Sequence, residues 1–148
     1  MFSTMHRTFY VGTNFVNTNY IRVQVFDLIN EERLSRGLPE LLFDQKLADV
    51  AQVWSKDLAQ RRLLEHGNFE ARMSAIGYGS YQCGEIIEEI PLGGIGFFQT
   101  PLEREFVDGW LKSAGHREIM LMPFTGYLGV GCSKNSDSIY CVADFRFD

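Results

Sequence analysis

Apolar residues recur at helical spacing through the first half of the chain and at strand spacing only late. Within residues 19–36, Ile21, Val25, Leu28 and Ile29 fall three or four apart, and Gly37 and Pro39 then act as stop signals, which predicts a first helix. Leu47, Ala51, Trp54 and Leu58 continue the same spacing behind Asp44, a helix-capping residue, and Arg61-Arg62 complement the dipole at the far end. That second helix delivers His66 just beyond its end. Phe69, Met73 and Ile76, ahead of Gly77, predict a short third helix, and the β-branched run Tyr81 to Ile90 predicts a strand. Thr100-Pro101-Leu102-Glu103 predicts a helix start, with Thr100 as N-cap, Pro101 in the first turn and Glu103 closing a capping box. Phe106, Val107, Trp110 and Leu111 give that helix its buried face. Past His116, a short apolar turn from Ile119 to Met122 ends at Pro123, and residues 127–133 and 138–147 read as a hairpin. Helices that come first and strands that cluster late predict an α+β fold.

Composition narrows the picture. A chain of 148 residues suits one domain, divided here into an N-terminal extension (1–18) and a single folded unit (19–148). The 12 Phe and 6 Tyr predict an aromatic-rich core. A net charge of -5, with no more than two adjacent Lys or Arg, excludes a nucleic-acid partner. No apolar run approaches the ~18 residues that span a bilayer, so the chain is expected not to be transmembrane. Residues 1–18 lack the apolar centre of a signal peptide, so no cleavable secretion signal is expected in the sequence as it stands. The glycines of Pro91-Leu92-Gly93-Gly94-Ile95-Gly96 lack the Lys-Ser/Thr ending of a phosphate-binding loop and read as a connection. Cys132 and Cys141 lie symmetrically about the turn Lys134 to Ser138, either as a cross-strand disulfide or as two free thiols, with Cys83 left over.

The candidate chemistry rests on Trp110-Leu111-Lys112-Ser113-Ala114-Gly115-His116-Arg117, where a glycine turn presents a histidine. His66 and Glu85 are the groups able to join His116. Two imidazoles and a carboxylate suit Zn²⁺ and other divalent metals and leave positions open for water or substrate. Their wide separations match no local metal motif, and Glu85 serves equally well as a structural acceptor. Ser113, beside His116, reads as an N-cap ahead of a nucleophile. Trp54 and Trp110 sit at core spacing, Cys83 shares a strand face with Glu85, and Glu88-Glu89 reads as a strand end in solvent.

From about Ile21 to Phe147 the chain resembles the CAP superfamily of cysteine-rich secretory, antigen 5 and pathogenesis-related proteins, in its short prokaryotic SCP-domain form. Asn30-Glu31-Glu32-Arg33 followed by Gly37-Leu38 resembles the opening N-x-x-R helix, and Leu47 to Trp54 resembles L-x-x-x-A-x-x-W. His66 falls at the first cavity histidine, Gly84-Glu85 resembles the start of G-E-N, and Trp110 to Arg117 resembles W-x-x-S-P-G-H-R. Gly129-Val130-Gly131 and the final strand resemble the closing hairpin. Ile86, Ala114 and Ile119 depart from the pattern, two of them by losing an amide.

The resemblance implies a three-layer α-β-α sandwich with a central antiparallel sheet and a pocket lined by His66, Glu85, His116 and Ser113. Ser113 stands where longer members carry a second glutamate, which Glu70 or Glu118 would have to replace. The leading expectation is a binding module whose pocket holds a divalent metal such as Zn²⁺ through His66, Glu85 and His116, and whose ligand is a lipid, glycan or protein. The alternatives are a hydrolase, with Glu85 as general base and His116 as its partner, and a structural domain whose pocket Ile86 or Ile119 fills. The resemblance implies extracellular action; oligomeric state is not specified by the sequence.

Overall fold

The computed structural model describes residues 15–92 and 100–148. Helix α1 spans Thr18–Ser35 and helix α2 Gln45–Arg61, with the two-residue strand β1 (Leu42–Phe43) between them. The short helix α3 (Phe69–Ala75) and a 3-10 turn (Ser80–Gln82) lead into strand β2 (Cys83–Pro91). Helices α4 (Leu102–Lys112) and α5 (Ala114–Met120) precede the hairpin of β3 (Gly126–Lys134) and β4 (Ser138–Phe147). The side chains of Asn17, Asp44 and Asn68 accept the first free amides of α1, α2 and α3. At α4 the start differs from the capping-box expectation: the helix opens after Pro101, and Thr100 Oγ1 donates to the Glu105 carboxylate, so Thr100 is not the cap. The stretch Ile119 to Met122, expected as a short apolar turn, begins inside the helix α5, which ends at Met120. Residues 93–96 of the glycine-rich connection, and residues 1–14 of the N-terminal extension, lie outside the described residues.

The strand order is β1-β3-β4-β2. β2 and β3 each pair antiparallel with β4, as expected, but β1 pairs parallel with β3, so the sheet is mixed and not wholly antiparallel. Alternation along β4 sorts the core into two layers. Tyr140 and Val142 face α2 together with Ile87, Ala51, Leu58 and Ala59. Ile139, Cys141, Ala143, Phe145 and Phe147 face the other way, with Ile29, Phe106, Trp110 and Met120 from α1, α4 and α5. Helices on both faces of one sheet give the three layers.

Beyond Leu128 the free edge of β3 is covered by side chains. Arg22 Nε donates to Val130 O at 2.8 Å, and Gln52 bonds both the amide (2.9 Å) and the carbonyl (3.0 Å) of Cys132. Cys132 and Cys141 are opposite one another in the register and form a disulfide inside the larger core, which resolves the two sequence alternatives. Cys83 is the free thiol, with its Sγ near Gly79 O at 3.4 Å.

Glu88 corrects the expectation of a solvated strand end. It points toward α4, where a Cβ added at Gly109 would come within 2.3 Å of its Oε1, and its Oε2 is buried without a hydrogen-bond partner. Burial first, and then the nearby Glu105, push its carboxyl from 4.5 up to about 7. The folded protein therefore binds this proton more tightly than the unfolded chain, and this group makes stability fall as pH rises from 4.5 to about 7. Glu88→Gln is expected to match the wild type at pH 4 and to exceed it by about 1–2 kcal/mol at pH 8, after allowance for solvent screening. Urea midpoints measured at both pH values check this; a variant less stable at pH 8 would contradict it.

Candidate functional site

The segment bearing His66 is positioned by Trp54. The indole Nε1 donates to Glu65 O at 3.1 Å, and Gly67, at φ +56°, lies so close to the ring that a Cβ would stand 2.5 Å from its Cη2. Only glycine meets both demands, and the chain turns there so that the His66 side chain stays 51% exposed. Trp54 is thus a half-buried scaffold for the site, while Trp110 is core with no exposure.

Glu85 projects from β2 toward the α2 layer, with its side chain wholly buried. His66 Nδ1 lies 2.9 Å from Glu85 Oε1, so the carboxylate selects the tautomer with hydrogen on Nδ1 and leaves Nε2 directed elsewhere. Arg72 of α3 makes the stronger contact: Nη1 donates to Oε2 at 2.6 Å, and Nη2 donates to Oε1 at 2.8 Å and to His66 O at 2.6 Å. The guanidinium lies over Trp54 at 4.3 Å and Phe69 at 5.5 Å from the ring centres. Burial opposes ionisation of Glu85, but the bonds from Arg72, Asp144 and His66 outweigh it and hold the carboxyl below its usual range.

Asp144 stands directly across from Glu85 in the β2–β4 register, fully buried, with no donor directed at its carboxyl oxygens. Arg72 Nη1 is 3.9 Å from its Oδ2. Burial, reinforced by the charge of Glu85, pushes Asp144 well above the usual carboxylate range. Two carboxylates side by side offer each other no donor. The pair becomes mutually favourable when Asp144 carries the proton.

His116 arrives from the other layer. Its helix α5 packs on β2 through Ile119, whose Cγ2 sits 2.9 Å from where a Cβ on Gly84 would be. Burial first, and then His66, lower the His116 pKa. Ser113 occupies the N-cap position of α5, where its carbonyl accepts from Arg117 N at 2.8 Å, but its hydroxyl makes no capping bond. Glu70 and Glu118 are exposed. Among the described residues, the second acid joined to Glu85 is Asp144. Ile86 is fully buried on the opposite face from Glu85 and Ile119 packs on that same face, so neither fills the space around His66.

These placements test a metal. Among the described residues, no group of three or more His, Cys, Asp or Glu is arranged to hold one. Both oxygens of Glu85 are already bonded by a cation, so His66, Glu85 and His116, as they stand, do not fit a divalent ion.

Arg72 and Asp144 were not among the residues singled out from the sequence. Asp144 carries a readable signal, being the lone acid of β4, at an inward position within the apolar run from Ile139 to Phe145. Arg72 carries none, because one arginine on a seven-residue helix looks like surface.

Comparison with known proteins follows the same outline. The model of the cysteine-rich secretory protein family, CAP, matches residues 26–145. An uncharacterised membrane protein of Bacillus subtilis, YlbC, is 31% identical over 116 residues, covering 75% of this chain and 31% of its own. The uncharacterised protein YkwD of the same organism is 30% identical over 113 residues, covering 73% of this chain and 40% of its own. This chain therefore spans well under half the length of these relatives. A solved extracellular protein containing an SCP domain, from Bacillus anthracis, superposes with a TM-score of 0.68 at 29% identity, covering 88% of this chain and 41% of its own.

Proposed function

We propose, from the premise that this chain belongs to the CAP family of cysteine-rich secretory proteins, that it is a binding module whose ligand docks at the β2 edge between His66 and His116. The observation that carries this reading is the commitment of Glu85: its two oxygens accept from Arg72 and His66, so it orients an imidazole and has no free oxygen to take a proton from water. His66 then presents Nε2 at a half-exposed mouth, and His116, its pKa lowered, faces it as a neutral imidazole at neutral pH. Two imidazole rings offer hydrogen bonds and flat apolar faces, which suit the hydroxyls of a glycan or the headgroup of a lipid. Hydrolysis with Glu85 as general base is the weaker reading for the same reason.

An extracellular setting is supported by two observations. The Bacillus anthracis relative is extracellular, and the Cys132–Cys141 disulfide belongs to oxidising compartments. Among the described residues, no helix is long and apolar enough to cross a membrane.

The test follows imidazole NMR signals during titration with a soluble N-acetylated oligosaccharide and, separately, with phosphatidylglycerol vesicles. One of the two is expected to move both His66 and His116, with affinity reduced at least about tenfold in His116→Ala. Binding that survives both His66→Ala and His116→Ala unchanged would place the ligand elsewhere and sink the pocket reading. An ester or glycan-cleaving activity lost in Glu85→Gln would favour the hydrolase.

A further inference from the structure

The protein supplies its own cation to this pocket. We propose that the Arg72 guanidinium stands in for a divalent metal, holding Glu85 and its buried neighbour Asp144 in place, so that the pocket is built to work without one.

Three observations carry this. First, the guanidinium takes both Glu85 oxygens at 2.6 and 2.8 Å, the same lone pairs a metal ion would need. Second, it is locked: Trp54 and Phe69 lie beside its plane, and Nη2 also bonds His66 O, so three elements fix one fork. Third, Asp144 is buried beside it with no hydrogen-bond donor, 3.9 Å from Nη1. A second acid in that position is tolerable because it carries the proton and shares it with Glu85, which the guanidinium keeps ionised. Arginine does not release its proton in the accessible pH range, so this cation cannot be exchanged as a bound metal can. An incoming divalent ion would meet a like charge in a half-buried setting, where such repulsion costs orders of magnitude in affinity.

The corollary is that a donor set is present but blocked. With the guanidinium removed, the Glu85 oxygens are freed beside the His66 imidazole at 2.9 Å and the Asp144 carboxyl across the strand pair, donor types that suit borderline divalent ions once they rearrange. This inference concerns the same site as the proposed function but does not depend on which ligand binds there.

The experiment compares wild type with Arg72→Met, which keeps the methylene stem against Trp54 and Phe69, using Co²⁺ alone as an optical probe. The wild type is expected to show no saturable cobalt absorption up to about 1 mM, and Arg72→Met to bind at least about tenfold more tightly. Adding His66→Ala to Arg72→Met is expected to abolish the gain. Equal cobalt affinity in wild type and Arg72→Met would overturn the proposal. Should the variant fail to fold, the wild type decides alone: Zn²⁺ at about 1 mM is expected to leave the NMR signals of His66, His116 and the Arg72 guanidinium unmoved. Saturable shifts of all three would overturn it. A wild type that binds neither oligosaccharide nor vesicles would overturn the function proposed above while leaving this inference standing.

Discussion

Arg33→Met is expected to destabilise the protein by about 3–5 kcal/mol, the cost of stripping a buried charged donor from several acceptors at once. Arg33 has no exposed surface and, among the described residues, no carboxylate partner. It donates instead to four carbonyls: Pro39 O (2.9 Å), Met120 O (2.9 Å), Met122 O (2.8 Å) and Phe124 O (2.9 Å). Met120 is the last residue of α5, so the charge sits at the negative end of that helix's dipole. Methionine fills the space but takes the guanidinium donors from all four oxygens, of which Met122 O keeps a bond from Phe124 N at 2.9 Å. For a domain of this size the loss corresponds to a fall in Tm of about 10–15 °C. The consequence reaches the candidate site, since α5 carries His116, whose position a loosened C-terminal end no longer fixes. Arg33→Lys, with one ammonium for four acceptors, is expected to fall between the two. Urea denaturation that places Arg33→Met within about 1 kcal/mol of wild type would show that these bonds contribute little net.

Gly131→Ala is expected to cost about 3 kcal/mol, at the upper end of the usual range for overpacking. The backbone of Gly131 is compatible with any residue, so the argument is one of space. A Cβ would fall 2.2 Å from Gln52 N and 2.3 Å from Ala51 C, and helix backbone cannot rotate aside as a side chain does. Gly129 meets Ala48 N at 2.1 Å in the same way. The two glycines let α2 lie directly on β3. Moving α2 would also pull Gln52 from Cys132, so the loss is expected as both a lower denaturation midpoint and faster amide exchange along β3. Exchange rates unchanged in a folded Gly131→Ala would refute the close-packing account.

Periodicity located what repeats. The spacing of Ile21, Val25 and Ile29, and of Leu47, Ala51 and Leu58, marks the buried faces of α1 and α2, and Asp44 caps where its type suggests. β1, with two residues, was illegible, and α5, seven residues long with Gly115 in its first turn, was signalled only by Ser113 at its N-cap. At α4, Pro101 marks the boundary but the Thr100 hydroxyl finds a side chain and not an amide, a choice that sequence cannot express.

For the site, residue type and the glycine turn singled out His66, Glu85 and His116 and family resemblance reinforced them, while the signature Asn30 and Arg33 prove to be framework. Asn30 brackets the backbone of Leu41 through both its amide atoms, as Arg33 does the end of α5. What resemblance left out is whatever strand register and helix docking bring in. Asp144 meets Glu85 only because β4 pairs with β2 in one particular alignment, and Arg72 reaches it only because α3 folds back over Trp54.

The covering of the β3 edge by Arg22 and Gln52 has a consequence for how copies of this domain meet. Open strand edges invite intermolecular strand addition, the first step of sheet-mediated aggregation. Here Val130 O and both backbone groups of Cys132 are already spoken for by side chains that cannot propagate a ladder. Recruitment of a further strand is therefore closed along this stretch of β3, and Gln52→Ala is a substitution to avoid when the domain is concentrated.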